Sequence, residues 1–135
     1  MNDFNKAIME EFRANEGRVG GSFEGAPVLL LTSTGARSGE RRTTPLMYLP
    51  DGDRMVIFAS KGGAPENPAW YHNLRANPAA TVEVGNEKLD VTAIVTEGEE
   101  RERLFNQQAE RYAQFADYAQ KTPRQIPVVA LERAG

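Results

Sequence analysis

Polar and apolar positions change rhythm several times along this 135-residue chain, and each change predicts an element. Near the N-terminus, Phe4, Ala7, Ile8 and Phe12 follow the 3.6-residue period of an amphipathic helix, with Asp3 placed to cap it. "EGRVGGSFEGAP" ends that helix with four glycines and a proline. Short β-prone runs follow at Val28–Thr34, Arg42–Leu49 and Arg54–Ser60. "DGD" at Asp51–Asp53 carries the Asp-Gly signal of a tight hairpin between the last two. Pro45 has no N–H to give a ladder, so its strand belongs at an edge or a bulge. Pro68 suits the first turn of a short helix, with Asn67 as its cap and Asn77-Pro78 as its stop. Two further strands, Ala80–Val84 and Lys88–Val95, flank a Gly85-Asn86 turn. Thr96-Glu97-Gly98-Glu99 reads as a capping box opening a late helix to about Gln120, with a break near Ala113. "IPVVALE", from Ile126 to Glu132, is the final strand.

Six short strands joined by hairpin turns leave little room for parallel crossovers. They predict an α+β, mainly antiparallel β domain: a closed or half-closed barrel with helices on its rim. Closure would remove the exposed edges that such strands otherwise present. The whole of 1–135 reads as one domain, with 1–16 as the N-terminal helix and 26–135 as the barrel and remaining helices.

Charge and composition narrow the function. A formal net charge of −3 argues against broad nucleic-acid affinity, which needs a basic surface. Without cysteine there are no disulfides, thiol nucleophiles or thiolate metal sites, and the single histidine, His72, excludes a histidine-rich metal centre. No apolar run approaches the ~20 residues of a membrane-spanning helix. The acidic, interrupted start "MNDFNKAIMEEF" is unlike a secretory signal, so a cytoplasmic location is expected. Phe4, Ile8 and Phe12 are open to three readings: core, partner contact, or peripheral contact with a membrane surface. Lack of a basic helix face ranks the core first.

Against this acidic background, "STGARSGERR" concentrates Arg37, Arg41 and Arg42 beside one carboxylate, Glu40. A solvated hairpin tip is the bland explanation. Gly35 and Gly39, which let backbone N–H groups converge, and the Ser38 hydroxyl point instead to a receptor for an anionic ligand tail. Neither G-x-x-x-x-G-K-[ST] nor G-x-G-x-x-G occurs. "ASKGGAPENPAWYHNL" places Lys61 beside two glycines and ahead of Trp70 and Tyr71. Trp70 reads as core, yet the combination suggests a planar ligand bordered by aromatic surface. Tyr112, Phe115 and Tyr118 recur every three residues on one broad helical face. Core packing explains such spacing in most proteins, while the polar tips of tyrosines also suit a pocket mouth. No G-x-S-x-G or H-E-x-x-H is present, so redox chemistry would have to come from a bound cofactor.

Taken together, "LLLTSTGARSGERRTTPLMYL", "ASKGGAPENPAWYHNLRANP" and "IPVVALE" resemble the deazaflavin (coenzyme F420)-dependent nitroreductase family, over roughly Ala26 to Glu132. The resemblance implies a split β-barrel of the FMN-binding split-barrel-like type. It also implies that Ala36, Arg37, Ser38 and Arg42 grip the phosphate and oligoglutamate tail of the coenzyme. Thr43, Thr44, Pro45, Leu46 and Met47 would line the deazaflavin ring. Phe58, Ala59, Ser60 and Lys61 would form a second binding segment, and Ala69, Trp70, Tyr71, His72 and Asn73 a third. Met47, Tyr112, Phe115 and Tyr118 would contact the acceptor. Relatives carry tyrosine where Met47 and Phe115 stand, so this pocket should be less polar and less suited to nitroimidazoles.

The activity so implied is hydride transfer from reduced deazaflavin to a small acceptor, a quinone or nitroaromatic. Ser60 or Tyr118 would hydrogen-bond the oxyanion developing on that acceptor. No metal is called for, and monomer or homodimer both stay open. Two alternatives remain: a coenzyme carrier without catalysis, and an FMN-dependent split-barrel oxidase.

Overall fold

The computed structural model describes residues 3–20, 27–60, 63, 66–122 and 124–134, with residues 3–5 as backbone only. The Asp3 cap and the Phe4 side chain therefore lie outside the described residues. Helix α1, Asp3–Ala14, turns Ile8, Met9 and Phe12 inward, as its apolar period requires. Strand β1 is Val28–Thr34 and β2 is Arg41–Met47; β3, Leu49–Asp51, follows after one residue. Strand β4 is Arg54–Phe58, α2 is Ala69–Ala76, β5 is Ala79–Val84 and β6 is Glu87–Val95. The late helix is two, α3 at Gly98–Arg111 and α4 at Gln114–Lys121, parted at Tyr112–Ala113 as the sequence suggests. Strand β7, Val128–Arg133, closes the chain.

The seven strands form one antiparallel sheet in the order β2-β1-β5-β6-β7-β4-β3. Its two end strands, β2 and β3, are separated in sequence by Tyr48 alone, so the sheet must roll until its ends meet. The six expected strands are thus present, but the second changes partner midway. Arg41–Met47 pairs with β1 and Leu49–Asp51 pairs with β4. Tyr48 marks the change, its N–H donating to Pro27 O at 3.1 Å. Pro45 lies opposite Leu30 on an edge strand, where its missing N–H breaks no ladder.

Alternation along each strand sorts the core into layers. Inside the barrel, Leu29, Leu31, Ile57, Val82, Val91, Val129 and Leu131 pack together, and Trp70, Tyr71 and Leu74 of α2 plug one end. Outside, α1 covers Val28 and Leu30. Helices α3 and α4 cover Val56, Phe58, Val128 and Ala130 with Leu104, Phe105 and Phe115.

Two predicted caps are used differently. Thr96 does not cap α3; Glu97 occupies the cap without a side-chain bond, and Thr96 Oγ1 donates to Val128 O at 2.8 Å. Asn67 does not cap α2 either. Pro68 holds that place, while Asn67 Oδ1 accepts from Arg124 Nη1 at 2.7 Å. Both polar side chains tie distant segments together instead of a local helix end. Buried Arg101 does the same for α3: its Nε and Nη2 both donate to Ile126 O, at 3.2 and 2.7 Å.

Candidate functional site

The β1–β2 loop and α2 enclose an open groove of about 540 Å³. Gly35, Ala36, Arg37, Ser38 and Arg42 line one side of it, and Ala69, His72 and Asn73 the other. The loop is held from within. Gly35 N–H donates to Glu40 O (2.8 Å), Gly39 N–H to Gly35 O (3.1 Å) and Glu40 N–H to Ser38 Oγ (3.1 Å). Gly39 takes φ +72°, and a Cβ on Gly35 would stand 2.5 Å from Ser38 Oγ, so both glycines are needed. The α2 side anchors the loop through buried Asn73, whose Oδ1 accepts from Ala36 N–H at 3.0 Å. The N–H groups of Gly35, Ala36 and Gly39 are therefore consumed by the fold. Those of Arg37 and Ser38 are left without a partner among the described residues.

The three arginines do not act alike. Arg37 and Arg42 are exposed at the groove, where the only ion pair among the described residues is a 3.2 Å one between Arg42 and exposed Glu40. Arg41 is directed away, donating to Thr34 Oγ1 and Thr81 Oγ1 at 3.2 Å each. Alternation on β2 explains the split, because neighbouring side chains take opposite faces. Trp70 and Tyr71 are likewise absent from the groove wall. Both rings are in the barrel core, 7% and 8% exposed, so the expected aromatic border is not formed by them. Exposed His72 does reach the groove. Lys61 lies outside the described residues.

Beside the groove, β2 has a free edge with a readable pattern. Pro45 lacks an N–H, so its pair with Leu30 is a non-hydrogen-bonded one. The bonds at Pro27–Tyr48 and Gly35–Glu40, on either side of the ladder, have the matching parity. Leu46, Thr44 and Arg42 therefore bond to β1, while the backbone groups of Thr43, Pro45 and Met47 face outward. The Thr43 side chain is fixed by a 2.8 Å hydroxyl contact with Thr32.

On the outer face, next to that edge, is an aromatic trough. Half-buried Met47 touches both the α1 cluster and the α3–α4 cluster. Phe115 is buried (6% exposed), with ring centroids 5.7 Å from Phe58, 5.4 Å from Tyr118 and 6.5 Å from Tyr112. Tyr112 and Tyr118 are only partly buried. Continued alternation past Phe58 and Ala59 puts Ser60 on this same side. Ser60 is nearly buried, and its hydroxyl has no partner among the described residues.

Over residues 5–133 the sequence matches the model of the F420H(2)-dependent quinone reductase family. The chain belongs to that family. An F420H(2)-dependent quinone reductase of Mycobacterium tuberculosis is 44% identical over 126 residues, spanning 90% of this chain and 85% of that one. Among solved structures, an F420-H2 dependent reductase, FDR-A, superposes with a TM-score of 0.72 at 45% identity, covering 78% of this chain and 94% of the other. A domain-swapped dimer superposes with a TM-score of 0.74 at 39% identity, covering 96% and 95%. The family fixes the fold as a split barrel and the chain as an oxidoreductase using coenzyme F420. Among the described residues no helix is long and apolar enough to cross a membrane.

The residues present fit that coenzyme. Two guanidinium groups and two unpartnered N–H groups suit an anionic tail. A flat ring with hydrogen-bonding edges suits the outward donors and acceptors of β2. One contributor has no signal in the sequence. Arg124 donates to Ala59 O (3.0 Å), Asn67 Oδ1 (2.7 Å) and Ser60 O (2.9 Å), binding the end of β4 to the approach to α2. Burial pulls its guanidinium below the ordinary arginine value, and the charge of Glu66 works against that. Gly63 (φ +86°) is similarly placed. A Cβ there would come within 2.9 Å of Lys121 Cβ and 3.3 Å of Tyr118 O, so only glycine lets the Ser60 segment lie against α4.

Proposed function

We propose that the protein reduces quinones at the aromatic trough, with the coenzyme tail in the cationic groove and its ring along the free edge of β2. The observation that carries this reading is the contiguity of the three features: Arg42, Thr43, Pro45 and Met47 are successive points on one strand leading from groove to trough. The bound coenzyme supplies two electrons as hydride. Everything else falls to this chain's side chains. Arg37 and Arg42 neutralise the tail, with Ala36, Ser38 and His72 beside them. Met47, Tyr112, Phe115 and Tyr118 hold a flat acceptor and exclude water. The hydroxyls of Ser60 and Tyr118 are the donors for an acceptor oxygen gaining negative charge, a role requiring about 3 Å.

Met47 and Phe115 bring no hydroxyl to the trough, which favours quinones over nitroaromatics and nitroimidazoles among the acceptors. The reaction takes place in the cytoplasm. Mixing the protein with reduced coenzyme and menadione should discharge the coenzyme's visible band in proportion to menadione. Tight coenzyme binding without turnover on any quinone would leave only a carrier. Tighter binding of FMN than of the deazaflavin in equilibrium dialysis would reject the assignment of the groove as well.

A further inference from the structure

Strand β4 ends against a proline that cannot complete its ladder. Phe58 pairs with Val128, so the next rung would join Ala59 to Pro127. Half of that rung exists: Ala59 N–H donates to Pro127 O at 3.0 Å. The returning bond needs a backbone N–H at position 127, and proline has none. Ala59 is 0% exposed, so its carbonyl oxygen would be left buried without a donor, at the desolvation cost of an unmade bond.

Arg124, between α4 and β7, supplies the missing donor. Its Nη1 reaches Ala59 O at 3.0 Å. The same nitrogen donates to Asn67 Oδ1 at 2.7 Å, and Nη2 donates to Ser60 O at 2.9 Å. Ser60 O also accepts from Gly63 N–H at 3.0 Å. One planar fork thus spans two successive carbonyls and the side chain just ahead of α2, a pattern that a point cation such as lysine does not reproduce. The backbone of Ser60 is therefore held from two sides. Its hydroxyl, by contrast, has no partner among the described residues.

We propose that Arg124 is a positioning residue for the reduction: it stands in for the N–H that Pro127 lacks, and so aims the Ser60 hydroxyl at the acceptor. A donor works on developing charge only if it is already in place when that charge appears, and a small displacement loses most of its effect. Fixing the peptide carbonyls on both sides of the Ser60 N–Cα–C unit fixes where its side chain starts. Without the fork, Ala59 O must find another donor, and Ser60 moves with it. This consequence for the acceptor rests on the proposed function; the clamp itself does not.

The test compares Arg124→Ala, Arg124→Lys and Ser60→Ala, singly and combined, well below their melting temperatures. Arg124→Ala should lower Tm by about 5–10 °C, with or without Ser60→Ala, and its crystal structure should show Ser60 displaced by about 1 Å. Menadione kcat per folded molecule should fall about ten-fold in Arg124→Ala and by a similar factor in Ser60→Ala, with the acceptor KM little changed. The double variant should be no slower than the slower single one, so turnover losses fail to add where stability losses do. Arg124→Lys keeps the charge and one donor; it should melt within about 3 °C of the unaltered protein yet stay several-fold slow. Full kcat in Arg124→Ala, or losses that multiply in the double variant, would overturn the positioning role. Normal kcat in Ser60→Ala would reject Ser60 as the donor and, with it, the aim assigned to Arg124. An unchanged Tm and an unmoved Ser60 would overturn the clamp. Should Arg124→Ala fail to fold, Arg124→Lys alone and with Ser60→Ala decides in the same way. Absence of any turnover in the unaltered protein would reject the quinone reading, and the place of Ser60 in the crystals would then decide the clamp.

Discussion

The groove beside α2 and the trough beside α4 are built on opposite terms. Arg37 and Ser38 on the β1–β2 loop and Arg42 at the start of β2 are exposed and belong to no core cluster, and their chemistry is charge. Phe58 and Phe115 are buried between a sheet and two helices, and their chemistry is exclusion of water. Charge acts across solvent, so a ligand tail can be gripped by side chains that contribute nothing to folding. A water-free surface has to be made from the core itself. Substitutions should therefore separate the two regions cleanly: the trough loses stability and activity together, the groove loses affinity alone.

The largest effect expected is at Phe115. Phe115→Ala removes a ring that meets Phe58, Tyr112 and Tyr118, and should cost about 3–5 kcal/mol in urea unfolding. Menadione turnover by the fraction still folded should collapse, while coenzyme binding to that fraction persists. Near-normal stability with retained turnover would mean that this wall is neither packed nor needed.

The groove should behave in the opposite way. Arg37→Ala with Arg42→Ala should weaken coenzyme binding by about 10- to 100-fold at low salt, for two charge-assisted contacts of about 1.5–3 kcal/mol each in their unscreened form, less solvent screening. The deficit should shrink steadily as salt rises, since exposed charges are screened beyond about 10 Å at 0.1 M. Stability should stay within about 0.5 kcal/mol, because the one ion pair removed, Arg42 with Glu40, joins two side chains that are 56% and 69% exposed. A salt-independent loss of affinity, or a marked fall in stability, would contradict the contrast drawn above.

The same contrast explains what was legible in the sequence. Loop charge, glycine placement and the helix break near Ala113 are local matters, and each is visible in a few adjacent residues. Pro45 announces an edge strand because a missing donor has the same meaning in every context. Tyr48 gives no such sign: the change of partner there follows from the barrel's closure, a property of the whole sheet. Thr96 and Asn67 look like caps, yet each serves a segment more than thirty residues away along the chain, with Thr96 bonding Val128 and Asn67 bonding Arg124. Trp70 and Tyr71 sit among ligand-like neighbours but are turned inward by the helical period that sends His72 out. Arg124 could be found only from its surroundings, because a lone arginine has no motif. What escapes the sequence is thus long-range satisfaction of polar groups, and most of it gathers around the trough.

The smallest effect tests whether α1 is attached by charge, as in the groove, or by packing, as in the trough. Arg13 forks onto Glu83 of β5, Nε to Oε1 at 3.1 Å and Nη2 to Oε2 at 2.8 Å, while Ile8, Met9 and Phe12 pack below. The hydrogen bond from Arg13 holds the Glu83 carboxyl below its ordinary value, with desolvation opposing and the Arg13 charge assisting. A carboxyl whose folded value is depressed stabilises the protein above its unfolded value of about 4.3, and that stability is lost as pH falls through the lower folded value. Because Arg13 is 53% exposed, the pair should contribute only about 0.5 kcal/mol. Glu83→Gln should therefore melt slightly below the unaltered protein at pH 7, and the gap should close in acid, as pH falls through the lowered folded value. Equal Tm values at pH 7 and in acid would show that α1 is held by its apolar face alone. A gap of several kcal/mol at pH 7 would instead make Glu83 part of the core that the trough is built on.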